Sequence, residues 1–189
     1  MRTGNYAGRR KWEQRLGLGE RGADELIFAS PAGTRAQLGQ VTDDEIWRLA
    51  GEQYGLDAEE IAEFRQDFWS GDFIDRELVD LIRRLRARYR LGLLSNASDA
   101  LRPLLARTSL APLFDVIVIS CEEGLMKPDP EIYRRLLARL DVAPDEAAFV
   151  DDVQANVDAA RAAGMHALRF TSTAGAEAGL SALGVDAAC

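Results

Sequence analysis

The run Phe149-Val150-Asp151-Asp152 is apolar, stops on two adjacent carboxylates and gives way to Val153-Gln154-Ala155-Asn156-Val157. Neighbouring carboxylates repel each other, and a bound cation is the natural way to keep both ionised at neutral pH unless water solvates them. Oxygen ligands of this kind favour magnesium. The same pair is also compatible with one aspartate capping the next helix and the other standing in solvent. Ser95 and Asn96 end a second apolar run, Leu91-Gly92-Leu93-Leu94. They can offer a hydroxyl and a backbone N–H to an anionic oxygen, although a turn that opens a helix uses the same residue types. Lys127 precedes Pro128-Asp129-Pro130. Asp129 suits an N-cap and Pro130 a first helical position, so the lysine is delivered from a stiff loop. It is either solvated or turned toward the strand ends. In the second case a positive charge about 4 Å from a phosphoryl oxygen contributes roughly 4 kcal/mol at an effective dielectric near 20. With carboxylates opposite, that is a site for a dianion. His166 opens a strand, has no partner nameable from sequence, and reads as structural.

Elements of recognisable pattern carry these residues. The stretch 147–150 is apolar without alternation, as in a strand covered on both faces, and Val153, Val157, Ala160 and Gly164 follow at helical spacing. Residues 91–96 and 115–120 read as further buried strands, the second strongly β-branched. A last strand spans 166–170. Helices are expected over 75–89, over 130–140, and after Ser98 or Asp99. Strand alternating with helix predicts a parallel sheet with helices on both faces. In such sheets ligands bind beyond the carboxyl ends of the strands. Ser95, Asn96, Asp151 and Asp152 stand at such ends, and Lys127 follows another.

The region before residue 75 has a different character. A helix is expected over 9–16 and a short one over 24–29, broken at Pro31 and Gly33. Two more begin at capping boxes, Thr42 with Glu45 and Asp57 with Glu60. Ile46, Trp47, Ala50 and Tyr54 line one helix face, and Ile61, Phe64, Phe68 and Trp69 the other. All three tryptophans fall here and no strand is evident, so residues 1–74 read as a small helical subdomain and 75–189 as an α/β core. The tail 171–189, rich in Ala and Gly, is expected to pack loosely.

A chain of 189 residues suffices for one domain with a modest appendage. Its apolar runs fall far short of the roughly 20 residues of a membrane span, and no signal peptide is evident, which makes a cytoplasmic location the expectation. Cys121 and Cys189 make neither a metal motif nor a disulfide framework. A net charge of -8, from 31 acidic and 23 basic residues, argues against a nucleic-acid partner. The one dense basic run, Arg83, Arg84, Arg86, Arg88 and Arg90, alternates with Leu81, Ile82, Leu85 and Tyr89 as the wet side of an amphipathic helix.

In this order, Leu-Leu-Ser95-Asn96, Gly124-Leu-Met-Lys127-Pro-Asp-Pro with Ile132-Tyr133, and Phe-Val-Asp151-Asp152 with Asn156 resemble motifs two, three and four of the haloacid dehalogenase-like hydrolase superfamily. The helical region resembles the cap that the phosphatase branch inserts after motif one. The resemblance implies that Ser95 and Asn96 bind the phosphoryl group and that Lys127 steadies nucleophile and phosphoryl. It further implies that Asp151 and Asp152 hold Mg2+, with Asp152 counted among the catalytic residues. The implied substrate is a small phosphorylated metabolite, hydrolysed through an aspartyl-phosphate. The Asp151-Asp152 pair favours phosphatases over the metal-free dehalogenases.

One part of the pattern is missing. Motif one, a strand ending in Asp-x-Asp or Asp-x-Gly whose first aspartate is the nucleophile, has no counterpart in residues 1–10. The expectation is that in-frame sequence upstream of Met1 encodes it; the alternative is a family member that has become a phosphate binder. Either way the chain as it stands is expected to be inactive. In the family that strand lies between the Ser95 and Asp151 strands, so these two are expected to pair directly, to recruit N-terminal residues, or to leave open edges.

Overall fold

The protein, described here from a computed structural model, is traced over residues 2–186; Met1 and the end of the tail, with Cys189, lie outside the described residues. After a two-residue strand β1 (Arg2–Thr3), helices follow in sequence: α1 (Ala7–Leu16), α2 (Gly22–Asp24) continuing as a π turn over Glu25–Ala29, α3 (Pro31–Gln37), α4 (Asp43–Gln53) and α5 (Ala58–Trp69). Both capping boxes form, with Thr42 and Asp57 accepting from the backbone of their third helical residues, and Glu45 and Glu60 bonding back. Pro31 opens α3 instead of breaking a helix, because Ser30 caps it and a first-turn proline has no N–H to lose. Strand β2 (Asp72–Phe73) pairs antiparallel with β1, a short ribbon that hydrophobic periodicity does not announce. Trp12, Trp47, Phe64 and Phe68 form the centre of this region, each at most 2% exposed. Trp12 stacks on Phe64 at 4.8 Å, and Trp47 meets Phe64 and Phe68 edge-on at 5.3 Å. Gly8 makes the approach of α1 to α5 possible, since a Cβ there would stand 2.1 Å from the Asp67 carbonyl.

From Asp75, which caps α6 (Arg76–Arg86) through the Leu78 N–H, the chain alternates. It runs β3 (Gly92–Ser95), α7 (Leu101–Arg107), β4 (Val116–Ile119), α8 (Ser120–Glu123), α9 (Pro130–Leu140), β5 (Ala148–Asp151), α10 (Gln154–Ala162), β6 (His166–Arg169) and α11 (Thr173–Ala182). Helices cover both faces. On one, Ile132, Tyr133, Leu136 and Leu140 of α9 and Val157 and Ala160 of α10 pack with Leu94, Val118 and Phe149 of the strands. On the other, Leu81 and Leu85 of α6 meet Leu180 of α11 over Val150 and Leu168. The tail is therefore not loose over 173–182: Ser172 caps α11 and Leu180 is buried. The arginines of α6 form the expected wet face, paired with Asp80, Glu177 and Asp115.

The strands form two parallel pairs, β3 with β4 and β5 with β6. Of the three expected outcomes for the sheet centre, direct pairing and recruitment of the N-terminus do not occur, since β3 and β5 do not pair and β1 pairs with β2. The carbonyl of Leu91 accepts from Val116, so alternation along the strand turns Gly92 and Leu94 to the opposite edge. The carbonyls of Ala147 and Asp151 accept from His166 and Phe170, which likewise turns Ala148 and Val150 away from β6. These two edges have no strand on them among the described residues.

Candidate functional site

Parallel strands deliver their last residues to one end of the sheet, and here β3 ends on Ser95 and β5 on Asp151. Lys127 lies between them and is buried, 8% exposed. Its Nζ donates to the Leu94 carbonyl at 2.9 Å and to Asp151 Oδ2 at 2.6 Å. A solvated placement is thus overturned: burial in an apolar loop is tolerated because the ammonium finds a carboxylate and a carbonyl turned to the free edge of β3. Asn96 fixes the loop that brings the lysine in. Its side-chain amide donates to the Lys127 carbonyl and accepts from the Lys127 N–H, both at 2.8 Å.

Asp151 is equally enclosed. Oδ1 accepts from the Val153 N–H and from Asn156 Nδ2, both at 2.9 Å. With Lys127 on Oδ2, three of the roughly four lone-pair positions of a carboxylate are in use. Asn156 is held in turn by Tyr133, whose hydroxyl donates to its carbonyl at 3.0 Å. Burial, with the Asp151 charge adding to it, pushes the Tyr133 phenol up to about 12. Asp152 differs: it is exposed, its carboxylate has no partner among the described residues, and its backbone carbonyl accepts from Arg169 Nε at 3.3 Å. The Ser95 hydroxyl makes no hydrogen bond among the described residues, which leaves it available at the strand end. His166 is exposed at the start of β6 and distant in sequence register from this end of the sheet.

The loop after β3 is pinned from two directions. Ser120 Oγ, wholly buried, accepts from the Ala97 N–H at 3.0 Å. Ser98 and Asp99 do not open α7. Ser98 Oγ donates to Asp43 Oδ1 at 2.8 Å, and Asp99 Oδ1 accepts from the Asp43 N–H at 2.8 Å. Asp43 Oδ2 also accepts from Trp47 Nε1 at 3.2 Å and from Arg65 at 2.6 Å. The N-terminal helices are thereby tied to the Ser95–Asn96 loop. Beside this tie Gly39, at φ +71°, lies against Cys121, where a Cβ would come 2.1 Å from the Cys121 carbonyl. Sequence patterns missed the roles of Asp43, Ser120 and the Asn96 side chain. Ser98 and Asp99, expected to open a helix, are engaged by Asp43 instead, and no short-range pattern marks that tie or the role of Ser120.

A serine, a buried lysine–aspartate pair and a free carboxylate thus stand at the carboxyl ends of parallel strands, where ligands of α/β proteins commonly bind. The family profile of haloacid dehalogenase-like hydrolases matches residues 4–164, and the chain belongs to that family. It is 32% identical over 151 residues to the sesquiterpene phosphatase astK of Aspergillus oryzae, covering 78% of this chain and 76% of that one. It is 46% identical over 56 residues to acyl-CoA dehydrogenase family member 10 of Mus musculus, which is 30% of this chain and only 5% of the mouse protein. Among solved structures, a haloacid dehalogenase family enzyme of Bacteroides thetaiotaomicron superposes with a TM-score of 0.73 at 19% identity, over 90% of this chain and 87% of that one. The same enzyme has been solved in complex with magnesium and inorganic phosphate. Among the described residues no helix is long and apolar enough to cross a membrane.

Proposed function

We propose that this chain binds the phosphoryl group of a phosphate monoester as a magnesium-dependent phosphomonoesterase does, with residues 1–74 as its cap and 75–189 as its core. The observation that carries the reading is the buried Lys127 between the Leu94 carbonyl and Asp151, with the unengaged Ser95 hydroxyl at the end of the same strand. The likeness to a sesquiterpene phosphatase supports a phosphate monoester as substrate. In this reading the Ser95 hydroxyl and Asn96 N–H donate to phosphoryl oxygens. Lys127 supplies fixed positive charge beside them, and Asn156 and Tyr133 keep the lysine–aspartate pair in register.

Magnesium fits the donors in one form. Asp151 has about one lone-pair position left and Asp152 is free, while no group of three or more acidic, histidine or cysteine side chains suited to a metal occurs among the described residues. Magnesium commonly binds through one or two carboxylates, several waters and substrate phosphate, so Asp152 with Asp151 would hold it weakly and chiefly together with a phosphate ester. When bound, the metal neutralises charge on the phosphoryl oxygens. The magnesium and phosphate complex of the Bacteroides enzyme is in keeping with this.

A covalent step needs a free nucleophile. Asp151 is held by Lys127, Val153 and Asn156 with about one lone-pair position left for the metal, and Asp152 is assigned to the metal, so in this reading the described residues bind and polarise a phosphoryl group without attacking it. For the same reason a phosphate receptor without turnover is the second reading. An assay with an aryl phosphate, with and without magnesium, run beside calorimetry with inorganic phosphate, tests both. Phosphate binding that weakens in Ser95→Ala without turnover is expected. Magnesium-dependent turnover would refute the inactive state, and absence of phosphate binding would refute the phosphoryl site.

A further inference from the structure

Glu123 ends α8 with a side chain only 7% exposed, and the phosphoryl chemistry described above makes no use of it. Two arginines of α9 hold it. Arg139 grips both carboxylate oxygens, with Nη1 on Oε1 at 2.5 Å and Nη2 on Oε2 at 3.0 Å. Arg135 Nη1 donates to Oε2 at 3.0 Å and to the Glu123 backbone carbonyl at 3.2 Å, so side chain and main chain are fixed together. A two-pronged arginine–carboxylate pair reinforced by a second arginine belongs to the strong class of ion pair, unlike a lone surface bridge. The Arg139 contact, with Arg135 adding to it, keeps the Glu123 carboxyl below the usual carboxylate range.

This clamp sits at one end of the loop that carries Lys127. Gly124 follows at φ +65°, Leu125 packs on the core that α9 covers, and the Asp129 N–H closes a turn on the Met126 carbonyl at 2.9 Å before α9 begins. Both ends of the loop are thereby tied to the same helix: Glu123 through Arg135 and Arg139, and Pro130 by the chain itself. Lys127 stands on the hoop so formed, with its peptide paired to the Asn96 side chain. Two of its three ammonium protons go to the Leu94 carbonyl and Asp151, which leaves the third for a ligand. Where that proton stands depends on where the hoop stands.

We propose that Glu123 is a positioning residue of the phosphoryl site, which through Arg135 and Arg139 sets the height of the Lys127 loop against Ser95. The proposal rests on the reading of Ser95 and Lys127 as the phosphoryl receptor. It is tested on the whole chain with magnesium by calorimetry of inorganic phosphate and by amide hydrogen exchange. A retreat of the ammonium by about 1 Å from a phosphoryl oxygen about 4 Å away weakens binding roughly fourfold at an effective dielectric near 20, and a loss of about that size is expected in Glu123→Gln. Arg139→Gln undoes the clamp from the half-exposed helix side without touching the loop, and should act in the same direction. Neither substitution should weaken phosphate binding further in a Lys127→Met background, whereas a merely structural role would lower affinity there as before. The Lys127 amide, bonded to Asn96, should exchange faster in Glu123→Gln. Unchanged phosphate affinity in both variants, or an undiminished loss in the Lys127→Met background, would overturn the proposal. Wild-type phosphate affinity in Lys127→Met alone strikes at the phosphoryl reading, and exchange then decides the clamp by itself: a quickened Lys127 amide supports it and an unchanged one overturns it.

Discussion

Lys127 is a side chain that holds the fold together and stands in the candidate site at once. Its ammonium has left water for one carboxylate and one carbonyl, and Asp151 has done the same. Removing one partner of a buried pair leaves the other charge uncompensated, which typically costs about 3–5 kcal/mol. Lys127→Met is therefore expected to lower the unfolding free energy by about 3 kcal/mol, and the double variant Lys127→Met with Asp151→Asn to recover part of it; chemical denaturation of the four forms checks this. A lysine read from sequence as an exposed loop residue would have been expected to matter for phosphate alone. Tyr133 offers a second test. Its phenol is raised from an ordinary value of 10.0 to about 12 by burial, with Asp151 adding to the shift, so the folded state holds the proton more strongly than the unfolded one. The stability this contributes is intact below pH 10 and lost as pH rises through about 12. In a phenolate absorbance titration one of the four tyrosines should lag behind the others, and Tyr133→Phe should remove that step.

At the scale of elements, the coupling of α4 to the loop after β3 depends on Asp43. Its carboxylate is shared by Ser98, Trp47 and Arg65, and its N–H by Asp99. Asp43→Ala deprives several donors at once, and a loss of about 2–3 kcal/mol is expected. Hydrogen exchange should then quicken at Ala97 through Asp99 while the hydrophobic faces of α9 and α10 stay protected. If exchange rises evenly over the molecule, Asp43 serves only global stability. Helix starts followed local rules closely. Thr42, Asp57, Asp75 and Asp129 cap where a side-chain oxygen next to an apolar period says they should. The exceptions were Ser98 and Asp99, whose oxygens and hydroxyl answer to a partner some 55 residues away.

Across the whole molecule, the two strand pairs are held together by helices and by Lys127 rather than by a ladder between β3 and β5. An alternating pattern of exchange is expected: the amides of Leu93, Ser95, Phe149 and Asp151 face their partner strands and should be slow, while those of Leu94 and Val150 face the free edges and should be fast. Uniform protection along β3 and β5 would show that another strand covers these edges in solution. Free edges also invite pairing between copies, so sedimentation should reveal association that grows with protein concentration. An apolar strand joined upstream of Met1 should suppress that association and raise the melting temperature.

Sequence by itself determined what short-range physics controls. Helical period, capping residues and unbroken apolar runs placed α1, α4 and α5, the four strands of the α/β region and the residues at strand ends, because each signal lies within a few residues of its effect, whereas α3 stands where a break was expected. The order of Ser95, Lys127 and Asp151 was enough to suggest the family. Tertiary structure decided the rest. Whether Lys127 is wet or buried depends on a carbonyl 33 residues earlier and a carboxylate 24 residues later. The separation of the paired Asp151 from the free Asp152 follows from Asn156, Val153 and Lys127 all converging on the first. The tie of α4 to the loop after β3 likewise exists only because Asp43 meets Ser98 and Asp99 in space, and no local pattern in the chain encodes such a meeting.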